Sequence, residues 1–225
     1  MRVWFVSCTR LSQSAFEHES MLARSLGRII EFSPAVIAVA YENREPLARA
    51  YNQAIDLAEP DDILAFVHDD VWIDDWYVAH RLEDALAAYD VIGVAGSRVR
   101  DPKQQSWAAA GATEAEHHAK LSGGVFHGTR ESSVPSRFGT TPEAVVLLDG
   151  VFLASRAGTL RDRGVRFDPR FRFHFYDTDF CRSCEAAGLA MGTWPIAITH
   201  ASYGQGGVGP EWDEAYRLYL EKWGR

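Results

Sequence analysis

Four apolar residues run directly into an imidazole and two carboxylates in the stretch Leu64-Ala65-Phe66-Val67-His68-Asp69-Asp70-Val71. A short apolar run bounded by polar residues predicts a strand buried on both faces, as in a parallel sheet. Ligands of open α/β sheets bind beyond the carboxyl ends of the strands, where His68, Asp69 and Asp70 would lie. Adjacent carboxylates repel each other and are tolerated best beside a cation or in water. The stretch therefore predicts either a binding site or a solvated junction between strand and loop.

Composition limits the class of protein. The chain has 225 residues, of which 47% are hydrophobic, enough for one large domain or two small ones. A net charge of -8 argues against a nucleic-acid-binding surface, which would be basic. Three cysteines do not suggest a disulfide scaffold, and Cys181 and Cys184 lie in a helical pattern with no second pair to complete a zinc site. The N-terminus shows neither a signal peptide nor a long apolar segment, so we expect a cytoplasmic protein.

Strand and helix patterns alternate through the first 97 residues. Strands are predicted at 3–7, 35–40, 63–67 and 91–95. Helices are predicted from 14 to 26, ended by Gly27, from Pro46 onward, and after Asp74-Asp75. This alternation predicts a parallel sheet with right-handed crossovers.

Beyond residue 97 the pattern changes. Residues 98–142 are rich in Gly, Ser, Thr and Gln and predict a partly mobile insertion over the site. Two further apolar strands are predicted at 145–148, which ends at Asp149-Gly150, and at 196–200, which ends at His200. Between them, aromatic residues lead into Asp177-Thr178-Asp179 at a helix start, where one of the two carboxylates would serve as a cap.

The order of these motifs resembles that of the nucleotide-sugar glycosyltransferases of GT-A type, especially the bacterial family-2-like group. The matching segments are Ser7-Cys8-Thr9, Arg49-Ala50-Tyr51-Asn52, His68-Asp69-Asp70, Asp149-Gly150-Val151-Phe152, Phe173 to Asp179 with Arg182, and Ile198-Thr199-His200. Two positions depart from the family pattern: His68 replaces the first acid of its D-x-D motif, and Tyr176 replaces the glutamate of its Glu-Asp pair.

The resemblance implies a single α/β domain of GT-A (Rossmann-like) fold, with a mixed, mostly parallel central sheet flanked by helices. Residues 1–97 would form the nucleotide-binding half, 98–142 a flexible insertion, and 143–225 the acceptor and catalytic half. The implied partners are a nucleotide-sugar donor and a glycan or other hydroxyl acceptor, in the synthesis of bacterial surface glycans or glycoconjugates.

The resemblance also implies roles for particular residues. Asp70 and His200 would bind a divalent metal, Mn²⁺ or Mg²⁺, and the histidine ligand favours Mn²⁺. The nucleotide-sugar would be bound by residues around the metal and along the first strands: Ser7, Thr9, Glu42, Asn52, His68, Asp69 and Asp70. Asp177 would be the general base of an inverting displacement, and Asp149 would orient the donor sugar or the acceptor.

Several alternatives remain open on the sequence. The same carboxylates would suit a metal-dependent nucleotidyltransferase or phosphohydrolase, and His68 in place of an acid would suit a non-catalytic nucleotide-sugar-binding subunit. Aromatic side chains that could stack on a sugar are Trp107, Trp194 and Tyr203. A helix is predicted from the spacing of Trp212, Tyr216, Tyr219, Leu220 and Trp223. Its apolar face would pack in the core or dock on a partner subunit or a membrane surface, which would make the protein membrane-peripheral.

Overall fold

Strand β3 (Ile63–Val67) is buried at every residue, as its apolar sequence predicts. In the computed structural model, which describes residues 1–101, 103–108, 113–202 and 209–224, this strand lies between two apolar cores. Leu64 and Phe66 point into one core, and Ile63, Ala65 and Val67 point into the other. Because both faces of the sheet are covered, the strand is continuously apolar instead of alternating with polar residues.

Seven strands form the main sheet. In spatial order they are β2 (Ala35–Ala40), β1 (Val3–Cys8), β3, β11 (Phe152–Arg156), β5 (Val91–Gly93), β12 (Met191–Thr193) and β9 (Glu143–Ala144). Strands β2, β1, β3, β5 and β12 run in one direction, and β11 and β9 run in the other. The prediction of a mixed, mostly parallel central sheet is confirmed.

A second sheet, which the sequence did not predict, packs beside the first. Its strands are β10 (Leu147–Leu148), β6 (Ala95–Ser97), β7 (Leu121–Gly128), β13 (Ile198–His200) and β4 (Val71–Ile73), with β8 (Ser133–Arg137) paired to β7. Gly123 of β7 has φ 89°, and a Cβ there would lie 2.0 Å from the carbonyl oxygen of Val94. A glycine is therefore needed where β7 crosses the main chain of the first half.

The segment predicted as an insertion supplies much of this second sheet. Helix α5 (Glu114–Lys120) leads into β7, and β7 pairs with β6 and β13, which come from the two halves of the chain. In its described part the segment is thus a structural layer that joins the halves. The predicted strand 91–95 is divided between the two sheets, because the chain leaves the main sheet at Val94. The predicted strand 145–148 is shorter than expected: only 147–148 is a strand, β10 of the second sheet, and β9 of the main sheet ends before it at Ala144.

Helices flank the main sheet. They are α1 (Gln13–Glu19), α2 (Met21–Ile29), α3 (Leu47–Leu57), α4 (Val78–Ala88), α6 (Ala157–Asp162), α7 (Tyr176–Ala186) and α8 (Pro210–Trp223). The single helix predicted from 14 to 26 is two, because Ser20 ends α1 and caps α2 by accepting from Ala23 N. Gly27 lies inside α2, which continues to Ile29, a residue buried in the core.

Helix α8 packs its aromatic face against α7. Phe175 contacts the rings of Trp212, Tyr216 and Tyr219, with centroids 5.3–5.4 Å apart. The expected packing of this helix in the core is observed, and these rings already have partners within the chain, so the structure gives no support to docking through that face. No helix in the described part of the chain combines the length and apolar character needed to cross a bilayer.

Candidate active site

A pocket of about 640 Å³ opens where β3, β13 and the start of α7 meet. This volume is in the range of pockets that hold small ligands and cofactors. The polar residues at its base are His68, Asp69, Asp70, Asp149, Asp177 and His200, and its aromatic walls include Trp107, Phe173 and Trp212. Residues 68–70 follow β3 directly, so the pocket lies at the carboxyl end of β3, where the sequence predicted a binding site.

Three of these side chains are grouped as metal ligands would be. His68, Asp70 and His200 each offer one ligand atom, and the three atoms lie within 4.8 Å of one another. His200 Nε2 is 3.2 Å from Asp70 Oδ1. The two residues come together because His200 ends β13, which pairs with β4, the strand that follows Asp70.

The protonation states of these residues also suit a cation. Burial is the main cause that lowers the pKa of His68, to about 4, so its imidazole is neutral at neutral pH. Burial raises the pKa of Asp70, but the hydrogen bond from His200 and the nearby histidine charges outweigh it and hold the pKa below the usual value. A neutral imidazole and an ionised carboxylate are the forms that bind metal ions.

Tyr176 connects the histidine to the far side of the pocket. Its hydroxyl donates to the carbonyl oxygen of Gly150 (2.8 Å) and lies 2.9 Å from His68 Nε2. Because the hydroxyl proton is used toward Gly150, the Tyr176 oxygen accepts the Nε2 proton of His68. That tautomer leaves a lone pair on Nδ1, the nitrogen of His68 that can bind a cation.

Asp149 and Asp177 form a second acidic pair. Asp177 accepts backbone hydrogen bonds from Gly150 (3.1 Å) and Thr178 (2.8 Å), and Asp149 accepts one from Val151 (3.1 Å). Burial, followed by the charge of Asp177, raises the pKa of Asp149 to about 7. Burial also raises the pKa of Asp177, although its backbone hydrogen bonds oppose the shift. Asp149 can therefore hold a proton near neutral pH beside Asp177, an arrangement suited to acid–base catalysis.

A residue with a strained backbone lies just before Asp177, one member of this pair. Phe175, just before α7, has φ 63° and ψ 3°, a left-handed conformation that costs a non-glycine residue about 1–2 kcal/mol. Its buried ring packs on α8, which offsets the strain. Gly150 completes the close approach, because a Cβ there would lie 2.2 Å from the Tyr176 hydroxyl. Strain of this kind is characteristic of functional sites.

Comparison with known proteins agrees with this geometry. Residues 8–199 match the family described as "Glycosyltransferase like family". The chain belongs to this family. No curated protein matches the sequence at a significant level.

Solved structures show that this glycosyltransferase-like chain has the GT-A fold. GalNAc-T7 with UDP, GalNAc and Mn²⁺ is similar at a TM-score of 0.52 and 12% identity, over 97% of this chain and 47% of that one. S. aureus TarS 1-349 is similar at 0.50 and 13% identity, over 99% of this chain and 65% of that one. This chain thus spans about half of the first protein and just under two thirds of the second.

Of the remaining residues predicted to bind the nucleotide sugar, one contacts a residue of the pocket and three lie outside it. Thr9 donates to Asp69 Oδ2 at 2.5 Å, so it positions a pocket carboxylate. Ser7 is fully buried in β1, and its hydroxyl has no partner among the described residues. Asn52 uses both ends of its amide on the backbone of Phe167 (2.8 and 2.9 Å), and Glu42 is exposed outside the pocket lining. The structure does not bring Ser7, Asn52 or Glu42 into the pocket.

The aromatic residues predicted to stack on a sugar, and the two acids at the start of α7, also differ in whether they reach the pocket. Trp107 lines the pocket, whereas Trp194 packs against the second core and Tyr203 lies outside the described residues. Asp179, the second acid at the start of α7, is buried and bonded to Lys222 and Trp223 of α8. It anchors α8, which leaves Asp177 as the carboxylate of this motif in the pocket.

Sequence reasoning missed His127. This residue lines the pocket with its ring centroid 5.8 Å from that of His200, because β7 and β13 pair with His127 opposite His200. No local pattern indicated that pairing across the chain.

Proposed function

We propose that this chain transfers a sugar from a nucleotide-sugar donor to an acceptor hydroxyl with inversion at the anomeric carbon. The observation that carries the proposal is one pocket lined both by the His-Asp-His group, which could hold a cation, and by the carboxylates of Asp149 and Asp177, the first with a pKa raised to about 7. The family match and the GT-A fold support the same reaction class.

The residues present fit a divalent cation. His68, Asp70 and His200 would hold it, and a mixed nitrogen and oxygen set favours Mn²⁺ over Mg²⁺. When bound, the ion would neutralise negative charge that develops on the diphosphate leaving group. The replacement of the family's first acid by His68 therefore keeps a ligand at that position. Asp69, held by Thr9, would bind the donor ribose or a water of the cation.

The carboxylate pair supplies the acid–base chemistry. Asp177 takes the proton of the acceptor hydroxyl while that oxygen attacks the anomeric carbon from the face opposite the leaving group. Asp149 hydrogen-bonds to donor sugar or acceptor and stores a proton beside Asp177. One displacement with one base inverts the anomeric configuration. General-base assistance of this kind accelerates a reaction by about 10²–10⁴-fold.

The first experiment identifies the donor. A thermal-shift panel of nucleotide sugars, with and without Mn²⁺, finds compounds that bind the native state, because such ligands raise its apparent stability. We expect stabilisation by a nucleotide sugar that depends on Mn²⁺. Consumption of a nucleoside triphosphate, or release of phosphate without a sugar acceptor, would favour a nucleotidyltransferase or phosphohydrolase instead.

The second experiment tests the base. With the donor found, we expect Asp177→Asn to reduce transfer by about 10²–10⁴-fold while donor binding is retained. Asp162→Asn, the same change at an exposed residue, is the matched control. Full turnover by Asp177→Asn would show that the base is assigned wrongly, and metal-dependent donor binding without transfer in the wild type would favour a non-catalytic binding subunit.

A further inference from the structure

A second cavity, of about 210 Å³, lies beside the middle of α7 and the C-terminal half of α8. No residue in the described ranges lines both this cavity and the active-site pocket. The lining side chains that could donate hydrogen bonds to an anion include Arg100, Lys103, Arg182 and Tyr219. Three of these four are cationic, in a chain whose net charge is -8.

Two of the cations have no carboxylate partner in the described part of the chain. Arg100 is ion-paired with Glu185, but no ion pair among the described residues involves Lys103 or Arg182. The Arg182 guanidinium lies 4.7 Å from the ring centroid of Trp223, so an aromatic face, not an anion, holds it in place. The carboxylate of Asp101 also lines the cavity. Among the described lining residues, the three cations outnumber this one carboxylate.

Tyr219 gives the second, independent observation. The residue is 1% exposed, its hydroxyl has no acceptor among the described residues, and the nearby Arg182 guanidinium can only donate to it. Its ring is fixed between Phe175, 5.3 Å away, and Arg182, whose guanidinium carbon is 5.8 Å from the ring centroid. The protons of buried hydroxyls are normally hydrogen-bonded, so a hydroxyl that has no acceptor and lines a cationic cavity points to a bound group that would supply one.

We propose that this cavity is a binding site for a phosphate group, held by Lys103, Arg182 and the Tyr219 hydroxyl. A tetrahedral oxyanion offers several acceptor oxygens, which would pair both cations and satisfy the hydroxyl together. The site is independent of the reaction proposed above, because it stands on residues outside the active-site pocket.

The cavity is linked to the active site through the chain. The Tyr216 hydroxyl donates to the carbonyl oxygen of Lys103 (2.9 Å), and Lys103 has φ 57°, an uncommon conformation for a lysine. Residues 105–108 follow directly and line the active-site pocket, with Trp107 in its wall. Phosphate bound at Lys103 would therefore hold the segment that shapes one wall of the active site.

Inorganic phosphate in the presence of a chelator is the probe, with affinity measured by calorimetry and stability by thermal melting. The chelator removes any cation that would recruit phosphate to the active site. We expect wild-type protein to bind phosphate, and Arg182→Gln and Lys103→Gln each to weaken binding by about tenfold or more, as loss of a charged hydrogen bond does. Arg163→Gln, an exposed arginine elsewhere with the same charge change, should leave the affinity unchanged.

Tyr219→Phe separates a ligand role from a structural one. Removing a buried hydroxyl that has no acceptor should raise the melting temperature without phosphate, and it should also weaken phosphate binding several-fold. A lower melting temperature with unchanged phosphate affinity would overturn the role of Tyr219. No phosphate binding by the wild type at millimolar concentration, or equal affinity in Arg182→Gln, Lys103→Gln and Arg163→Gln, would overturn the site.

Two sources could supply the phosphate group, and a second probe distinguishes them. If glycerol phosphate binds more tightly than inorganic phosphate, that result supports a site for a phosphate carried on a larger molecule. Equal affinity would support a site that binds free phosphate. Acetate binding as tightly as phosphate would overturn the preference for a tetrahedral anion. These binding readouts do not depend on sugar transfer, so failure of the site and failure of the proposed function are distinguishable.

Discussion

Replacing Asp149 by asparagine tests the electrostatics of the carboxylate pair directly. The amide has the shape of the protonated acid, and its oxygen can keep the hydrogen bond from Val151 N, which is 3.1 Å long in the wild type. The pKa of Asp149 is raised to about 7, first by burial and then by the charge of Asp177. In the unfolded chain an aspartate has a pKa of about 3.9. Folding therefore opposes ionisation of this residue.

The sign and size of the effect follow from linkage. Below pH 3.9 Asp149 is protonated in both states and has no pH-dependent effect. As the pH rises toward 7, the unfolded chain loses this proton while the folded protein keeps it, so stability falls, and the full loss is reached above pH 7. For a pKa near 7, the loss between pH 4.5 and pH 8 is about 3 kcal/mol. Asp149→Asn lacks the titrating group, so its free energy of unfolding does not fall with pH for this reason.

The assay is urea unfolding of the wild type and Asp149→Asn at pH 4.5 and pH 8, with a chelator present. We expect the stability of the variant relative to wild type to be about 3 kcal/mol more favourable at pH 8 than at pH 4.5. Asp162→Asn, at an exposed residue, controls for the change in net charge. A stability difference that is the same at both pH values would refute the raised pKa and the coupling of the pair.

Three further changes have expected outcomes. Asp70→Ala should weaken Mn²⁺ binding at least tenfold in calorimetry, because it removes the carboxylate of the His-Asp-His group, and unchanged affinity would exclude that cation site. Asp179→Asn should lower the free energy of unfolding by about 1–2 kcal/mol in urea titration, because it weakens the hydrogen bonds from Lys222 and Trp223 while Lys222 keeps its ion pair with Asp168; a loss under about 0.5 kcal/mol would show that Asp179 does not anchor α8. Gly150→Ala should destabilise the protein by about 1–3 kcal/mol, because its Cβ would lie 2.2 Å from the Tyr176 hydroxyl, and a melting temperature equal to wild type would contradict that close approach.

The central strands were predictable because their signal is local. Burial on both faces requires a continuous apolar run, and 63–67 has one, so both β3 and the position of Asp69 and Asp70 at its end could be read from the sequence. The same reasoning failed where strands are short and divided between sheets. An apolar run such as 91–95 does not show that the chain changes sheets at Val94, because that change depends on which strands pair.

The acidic motif at the start of α7 shows the same limit. Residue spacing indicated only that one of Asp177 and Asp179 would be structural, and it was the family resemblance that pointed to Asp177 as the residue at the site. The left-handed turn at Phe175 and the contact of Asp179 with Lys222 and Trp223 decide it, and both depend on the packing of α8. Asn52 likewise looked suited to a ligand, but the backbone of Phe167 takes both ends of its amide.

By itself, the sequence determined the α/β class, the mostly parallel order of the central strands and the polar strand end His68-Asp69-Asp70. These features follow from the spacing of apolar residues and need no knowledge of distant contacts. Only the tertiary structure brought His68 to Asp70 and His200, which the family resemblance had already paired, and placed His127 in their pocket. It also placed Tyr219 beside cations that have no ion pair among the described residues, in a second cavity. Each of these depends on pairing or packing between residues far apart in the chain, which no local pattern encodes.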